Sequence, residues 1–193
     1  MTVWHWIRHG PTQEKAFVGW RDVPADLSDT AQIARLSAHL PQNALMVASD
    51  LIRASATAGA LAHPARRRLA DDPRLREFNL GLWDGMVFAD VAARDPDLSR
   101  AYWENPGDIA PPEGESWNQA SSRVNTAVDE MSAAHPDGHI IAVAHIGVIL
   151  TQVQRASGST AKEALSHFID NLSVTTVIFD AGVWRAKAIN HLP

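Results

Sequence analysis

The chain has 193 residues, 46% hydrophobic and 20% charged, with a formal net charge of −5 and no cysteine. That length fits one domain, or at most two small ones, and suffices to bury roughly 70% of the surface the unfolded chain exposes. The composition excludes intrinsic disorder, the acidic balance argues against nucleic-acid and membrane-surface partners, and the missing cysteines exclude disulfides, thiol catalysis and cysteine metal sites.

The opening MTVWHWIRHG is too short an apolar run for a signal peptide, and no later run reaches membrane-spanning length, so a cytoplasmic location is expected. Val3–Ile7 reads as a short buried strand ended by Gly10-Pro11. An irregular stretch, 17–28, precedes a helix over Asp29–Leu40 that stops at Pro41. Ala44–Ala48 is a second strand, followed by an Ala-rich helix, Asp50–Ala62, with Ser49 as its cap. Residues 66–81 form a strand fragment and a loop. From 85 to 116, Pro96, Pro106, Pro111 and Pro112 break the chain into short helices and turns, read as a cap-like insertion. A long helix, Ser116–Ala134, leads to a third strand, His139–Ala144, and a helix over Ile146–Ala156. Val174–Asp180 and Val183–Ala188 form a hairpin around Gly182. The pattern predicts an α/β fold over 1–193 as a single domain. Its sheet is mostly parallel and flanked by helices on both faces, with an antiparallel edge and a helical cap insertion.

Ligands of open α/β sheets bind beyond the carboxyl ends of the strands. Arg8-His9-Gly10 follows the first strand, Ser49-Asp50-Leu51-Ile52-Arg53 the second, and His145-Ile146-Gly147 the third. Two histidines and two arginines therefore converge on one sheet edge, although more than 130 residues separate His9 from His145. Arg53, in the first helical turn, leans back toward the strand ends. Gly10 and Gly147 allow close backbone approach to a ligand. Two guanidiniums beside a helix N-terminus suit an anion with several equivalent oxygens, which means phosphate. Each residue taken singly has a plainer reading: a lone His ending a strand is more often packed, and a lone Arg solvated. The joint placement carries the inference.

Metal readings are weaker. His5 and His9 lie roughly 13 Å apart on a strand, too far to share an ion. His135 and His139 flank a Pro-Asp-Gly turn, and Asp71-Asp72 lies in a polar stretch, so both pairs read as solvated surface. Neither metal nor cofactor is expected. No G-x-S-x-G elbow supports a serine hydrolase.

Arg8-His9-Gly10-Pro11-Thr12 resembles the R-H-G-x-T of the histidine phosphatase superfamily, the phosphoglycerate mutase-like group. Ser49 to Ala54 with Thr57-Ala58 resembles S-x-L-x-R-A-x-x-T-A, and Glu77 through Gly81-Leu82-Trp83-Asp84-Gly85 resembles an acid-bearing block. Gly114-Glu115-Ser116 and His145-x-Gly147 match two more, in the family's order. The resemblance implies that His9 is the nucleophile and Glu77 the general acid, although by itself Glu77 reads equally as a surface carboxylate. It implies that Arg8, Arg53 and His145 hold the phosphoryl oxygens, helped by Thr12 and the Gly10 backbone. The adjacent arginines are expected to lower the His9 pKa by charge repulsion. Lys15, where relatives carry Asn, Pro11, where Glu or Gln is common, and Leu27-Ser28-Asp29-Thr30-Ala31 depart from the family pattern.

A mutase must hold a second anion, yet residues 86–117 carry two basic side chains, Arg94 and Arg100, against seven acidic ones. A phosphatase acting on a small-molecule phosphate ester is therefore favoured over a phosphoglycerate mutase. A catalytically silent phosphate-binding module is the third reading, disfavoured by the intact His9 and Glu77. Trp20, Trp83, Trp103 and Asn171 are candidate substrate-pocket residues, while Tyr102, Trp103 and Trp117 are either a small core under the insertion or a stacking surface. His167-Phe168 with Asp170-Asn171 and Ser173 is similar to a stretch in alpha-ribazole phosphatases, which makes alpha-ribazole phosphate a candidate substrate. The oligomeric state is left open, a dimer included.

Overall fold

In the computed structural model, which describes residues 1–193, strand β1 (Thr2–Arg8) is buried on both faces. Trp4 and Trp6 stack with ring centroids 5.2 Å apart on one side, while Ile7 enters the core on the other. Helix α1 (Thr30–His39) begins at Asp29, whose carboxylate accepts from the Gln32 amide. Strand β2 (Ala44–Ala48), helix α2 (Ile52–Ala60) and the short strand β3 (Arg66–Arg68) follow. Helices α3 (Phe88–Arg94) and α4 (Pro96–Glu104) occupy the proline-broken stretch. Helix α5 (Trp117–Ala134) opens with a capping box between Ser116 and Gln119. It leads into strand β4 (His139–Ala144), helix α6 (Ile146–Ser157), helix α7 (Ala161–Leu165) and the hairpin of β5 (Val174–Asp180) and β6 (Val183–His191).

The six strands form one sheet in the order β3-β2-β4-β1-β5-β6. The first four run parallel, and β5 and β6 add antiparallel. One face packs on α5, α6 and α7, the other on α1 and α2, so the sheet has a core on each side. The expected α/β class, with its mostly parallel sheet and antiparallel edge, is the one observed. Trp83, Val91 and Tyr102 form a separate small core under α3 and α4, with the Trp83 indole N–H donating to Asp95 at 2.8 Å. No helix is long and apolar enough to cross a membrane.

Local chemistry overrides the sequence reading at four places. The second helix starts at Ile52, two residues late, because the Ser49 hydroxyl accepts from the Leu51 amide and closes a turn at the strand end. Asp50 turns away to make a two-point contact with Arg76, at 2.7 and 2.6 Å. Asp72 is not a solvated charge: it caps the 3-10 turn Pro73–Leu75 and binds Arg74. The unanticipated α7 carries a reciprocal Thr160–Glu163 capping box, a T-x-x-E signal plainly present in the sequence.

Candidate active site

Parallel pairing aligns the carboxyl ends of β2, β4 and β1: Arg8 lies opposite Ala144, and Ala48 opposite Val143. The residues that follow β1 and β4 therefore emerge side by side. The rings of His9 and His145 stand 5.1 Å apart. From the first turn of α2, Arg53 reaches back and donates through Nε to His145 Nδ1 at 3.2 Å. Its other two nitrogens donate to the Arg21 carbonyl at 2.9 Å and the Gly19 carbonyl at 2.7 Å. Asp84 holds that loop in turn by accepting from the Gly19 and Arg21 amides at 3.0 and 2.9 Å.

The hydrogen bonds assign the tautomers. His9 Nδ1 sits 2.7 Å from the Gly10 carbonyl, which can only accept, so Nδ1 carries the proton and Nε2 keeps its lone pair. His145 Nδ1 faces a guanidinium N–H, which can only donate, so the His145 proton is on Nε2. That Nε2, like Arg8 Nε, is buried and makes no hydrogen bond within the protein. Arg8 is anchored through Nη1 to the Ile169 carbonyl at 2.6 Å. Leaving a buried donor unpaired costs about 1–3 kcal/mol, so two of them beside one histidine mark a place prepared for an acceptor.

Burial is the main force on the His9 pKa, lowering it to about 3; the Gly10 carbonyl opposes this, and Arg53 and Arg8 reinforce it. The arginines lower it as expected, but by less than burial does. His145 lies well below its usual range, mainly through burial and then through His9 and Arg53. Both imidazoles are neutral near pH 7. Burial raises the Glu77 pKa, against amide hydrogen bonds from Phe78 at 3.0 Å and Gly147 at 3.2 Å. Glu77 is therefore an interior carboxyl and not a surface one. Gly147 makes its room: a Cβ there would lie 2.5 Å from Glu77 Oε1 and 2.9 Å from the Phe78 ring.

A cavity of about 360 Å³ joins Arg8, His9, Thr12, Arg53 and Glu77 to an apolar wall that includes Phe17, Phe78, Leu80, Tyr102, Trp103 and Trp117. Glu14 adds a carboxylate to its lining, ion-paired to Arg21 at 3.0 Å. Of the four pocket candidates, only Trp103 lines this cavity. Trp83 is fully buried in the core under α3 and α4. Trp20 lies outside, its indole donating to the Glu77 carbonyl at 2.7 Å and its ring under Arg76. Asn171 holds the His9 carbonyl from behind at 2.7 Å.

The Gly10 backbone is also spoken for. Its N–H donates to Thr57 Oγ1 at 3.0 Å, and a Cβ would sit 2.6 Å from Leu27, so the glycine admits its own chain and not a ligand. Tyr102 and Trp117 belong to packed cores and still present surface to the cavity, so the two readings of the aromatic residues coexist. Phe17 and Phe78 escaped the sequence reading. They stand in irregular segments, where no periodicity marks a face.

A family model for the histidine phosphatase superfamily (branch 1) matches residues 5–192. The bifunctional protein Rv2228c of Mycobacterium tuberculosis is 30% identical over 176 residues, covering 90% of this chain and 46% of its own length. The chain thus spans about half the length of that relative. The glucosyl-3-phosphoglycerate phosphatase of Mycolicibacterium vanbaalenii is 34% identical over 155 residues, 74% of this chain and 68% of that one. Among solved structures, Bacillus stearothermophilus YhfR is similar with a TM-score of 0.91 and 25% identity, covering 100% of this chain and 98% of the other.

Proposed function

The chain belongs to the histidine phosphatase superfamily, and from that premise we propose that it is a cytoplasmic, metal-independent phosphatase that hydrolyses phosphate monoesters of a small molecule through a phosphohistidine at His9. The observation that carries this reading is the pair of unpartnered buried donors, Arg8 Nε and His145 Nε2, beside a histidine whose free nitrogen is Nε2.

His9 Nε2 attacks phosphorus, the P–N bond forms as the ester P–O bond breaks, and the leaving oxygen takes a proton from the Glu77 carboxyl. Arg8, His145 and the unused donors of Arg53 hold the equatorial oxygens as charge moves. In the second half Glu77, now a carboxylate, takes a proton from water. That water attacks phosphorus, the P–N bond breaks, and inorganic phosphate leaves neutral His9 behind. Burial supports both roles of Glu77, because a raised pKa keeps the proton on the acid in the first half.

The apolar wall favours an ester whose leaving group is flat and uncharged. Arg8 and Arg53 are the cations of the cavity lining, which offers no further Lys or Arg for the second anion that a phosphoglycerate mutase must hold. Asn171, from the stretch similar to alpha-ribazole phosphatases, supports His9 instead of the wall. The substrate is therefore named by class, which includes alpha-ribazole phosphate with its planar base. A panel of monoesters assayed in EDTA should release phosphate and alcohol in equal amounts, with negligible interconversion of 2- and 3-phosphoglycerate. Isomerisation faster than phosphate release, or activity lost to EDTA and restored by a metal ion, would overturn the proposal.

A further inference from the structure

Glu77 stands in a segment with little regular structure: the turn Pro73–Leu75 ends before it, and the next short turn begins at Gly81. No helix or strand fixes its backbone, which the Trp20 indole holds only at the Glu77 carbonyl, 2.7 Å away, yet a general acid must stay within hydrogen-bond reach of the leaving oxygen. Helix α5 supplies what the segment lacks. Arg123 Nη1 donates to the carbonyls of Arg74 at 2.6 Å and Arg76 at 2.9 Å, and Nη2 reaches the Glu77 carbonyl at 3.3 Å. Its Nε donates to Glu115 Oε2 at 3.2 Å, and Nη2 also binds Glu115 Oε1. All five donors of the guanidinium are thereby used, three on the carbonyls of Arg74, Arg76 and Glu77 and two on one carboxylate.

Glu115 closes the frame from the other end. Its Oε1 accepts from the Asn79 amide at 2.9 Å, and its own amide donates to the Asn79 carbonyl at 2.9 Å. The Asn79 side chain in turn accepts from the Gly81 amide at 3.0 Å. One Arg–Glu pair therefore spans the chain on both sides of Glu77. Arg123 is not among the residues that line the cavity, so it meets no substrate.

We infer that Arg123 is a positioning residue for the general acid, acting with Glu115 as a brace that sets where the Glu77 carboxyl meets the leaving group. This rests on the reading of Glu77 as the acid. A lysine at 123 keeps the charge but has one compact ammonium, which cannot span three carbonyls and a carboxylate. A displaced acid affects the step that needs its proton and spares phosphoryl transfer from a leaving group that departs unaided.

The test compares Arg123→Lys and Arg123→Gln with the parent and with Glu77→Gln, using an alkyl phosphate and p-nitrophenyl phosphate. Circular dichroism confirms the fold of each variant. The expected result is a loss of about tenfold in kcat on the alkyl ester, within the range general acids supply. KM should be little changed, and the pre-steady-state burst on the aryl ester should move by less than about twofold. The alkaline limb of the alkyl pH profile should shift as the environment of Glu77 changes. An equal loss on both esters, an unchanged alkyl rate, or loss of the fold in both variants would overturn the inference. If Glu77→Gln itself shows no dependence on the leaving group, the acid reading fails; if it does and the Arg123 variants do not, only the brace fails.

Discussion

Replacing His9 with alanine is expected to lower kcat/KM on every phosphate monoester by at least roughly a thousandfold, the scale on which a lost nucleophile acts. The cavity lining holds no second imidazole, and its hydroxyls are those of Thr12 and of Tyr102, whose phenol burial keeps protonated. The fold should survive. The backbone at this position is held from outside the side chain, by the His9 amide on the Ala144 carbonyl at 3.0 Å and by Asn171 on the His9 carbonyl. The ring makes a single hydrogen bond, to the adjacent carbonyl of Gly10. Steady-state rates on p-nitrophenyl phosphate with a thermal melt test both halves. A variant that keeps a tenth of the parent rate, with its melting temperature intact, would show that His9 does not attack phosphorus.

Replacing Glu77 with glutamine should divide substrates by leaving group. Turnover of alkyl phosphates should fall by about 10²–10⁴, the usual range of general acid–base catalysis, because an alkoxide departs only with a proton. The first step on p-nitrophenyl phosphate should be nearly spared, while hydrolysis of phospho-His9 slows because water has lost its base. The pH dependence has a definite sign. Burial raises the Glu77 pKa, so the acid form persists above the ordinary carboxyl range and sets the alkaline limb on alkyl esters; the glutamine variant should lack that limb. Burial lowers the His9 pKa to about 3, so its ring is expected to be neutral throughout the neutral range, and acid inactivation through it should come only as pH approaches that value. A burst equally depressed on both ester classes would mean that Glu77 is structural. Asp84, the next acid along the chain, is then no simple replacement, because its carboxylate is occupied by Gly19 and Arg21.

The parts of this site that the sequence reveals are those attached to regular elements. His9 and His145 each follow a run of strand-length apolar residues, and Arg53 follows a third, so period and position alone bring them to one edge. Parallel neighbours must end on the same side, which is why residues so distant in sequence meet. The parts that escape are held by irregular backbone. Trp20 and Asn171 carry the residue types of a binding pocket, but whether an indole or an amide faces a cavity or a neighbouring carbonyl depends on loop paths that no periodicity encodes. The Gly10 amide is a similar case. Only the long-range approach of α2 reveals that Thr57 already occupies it. Burial is the other quantity that spacing does not supply, and it dominates the pKa shifts of His9, His145 and Glu77.

The covalent intermediate itself is the most direct test. Glu77→Gln, in which the second step should be slow, is mixed with p-nitrophenyl phosphate, quenched without acid, digested at alkaline pH and examined by mass spectrometry and phosphorus NMR. One phosphoryl group should be found on the peptide containing His9, stable in base and lost in acid. Because Nδ1 carries the proton shared with Gly10, the phosphorus should be on Nε2. A full burst of nitrophenol with no phosphoryl group on His9, or with the group on another residue, would contradict the account.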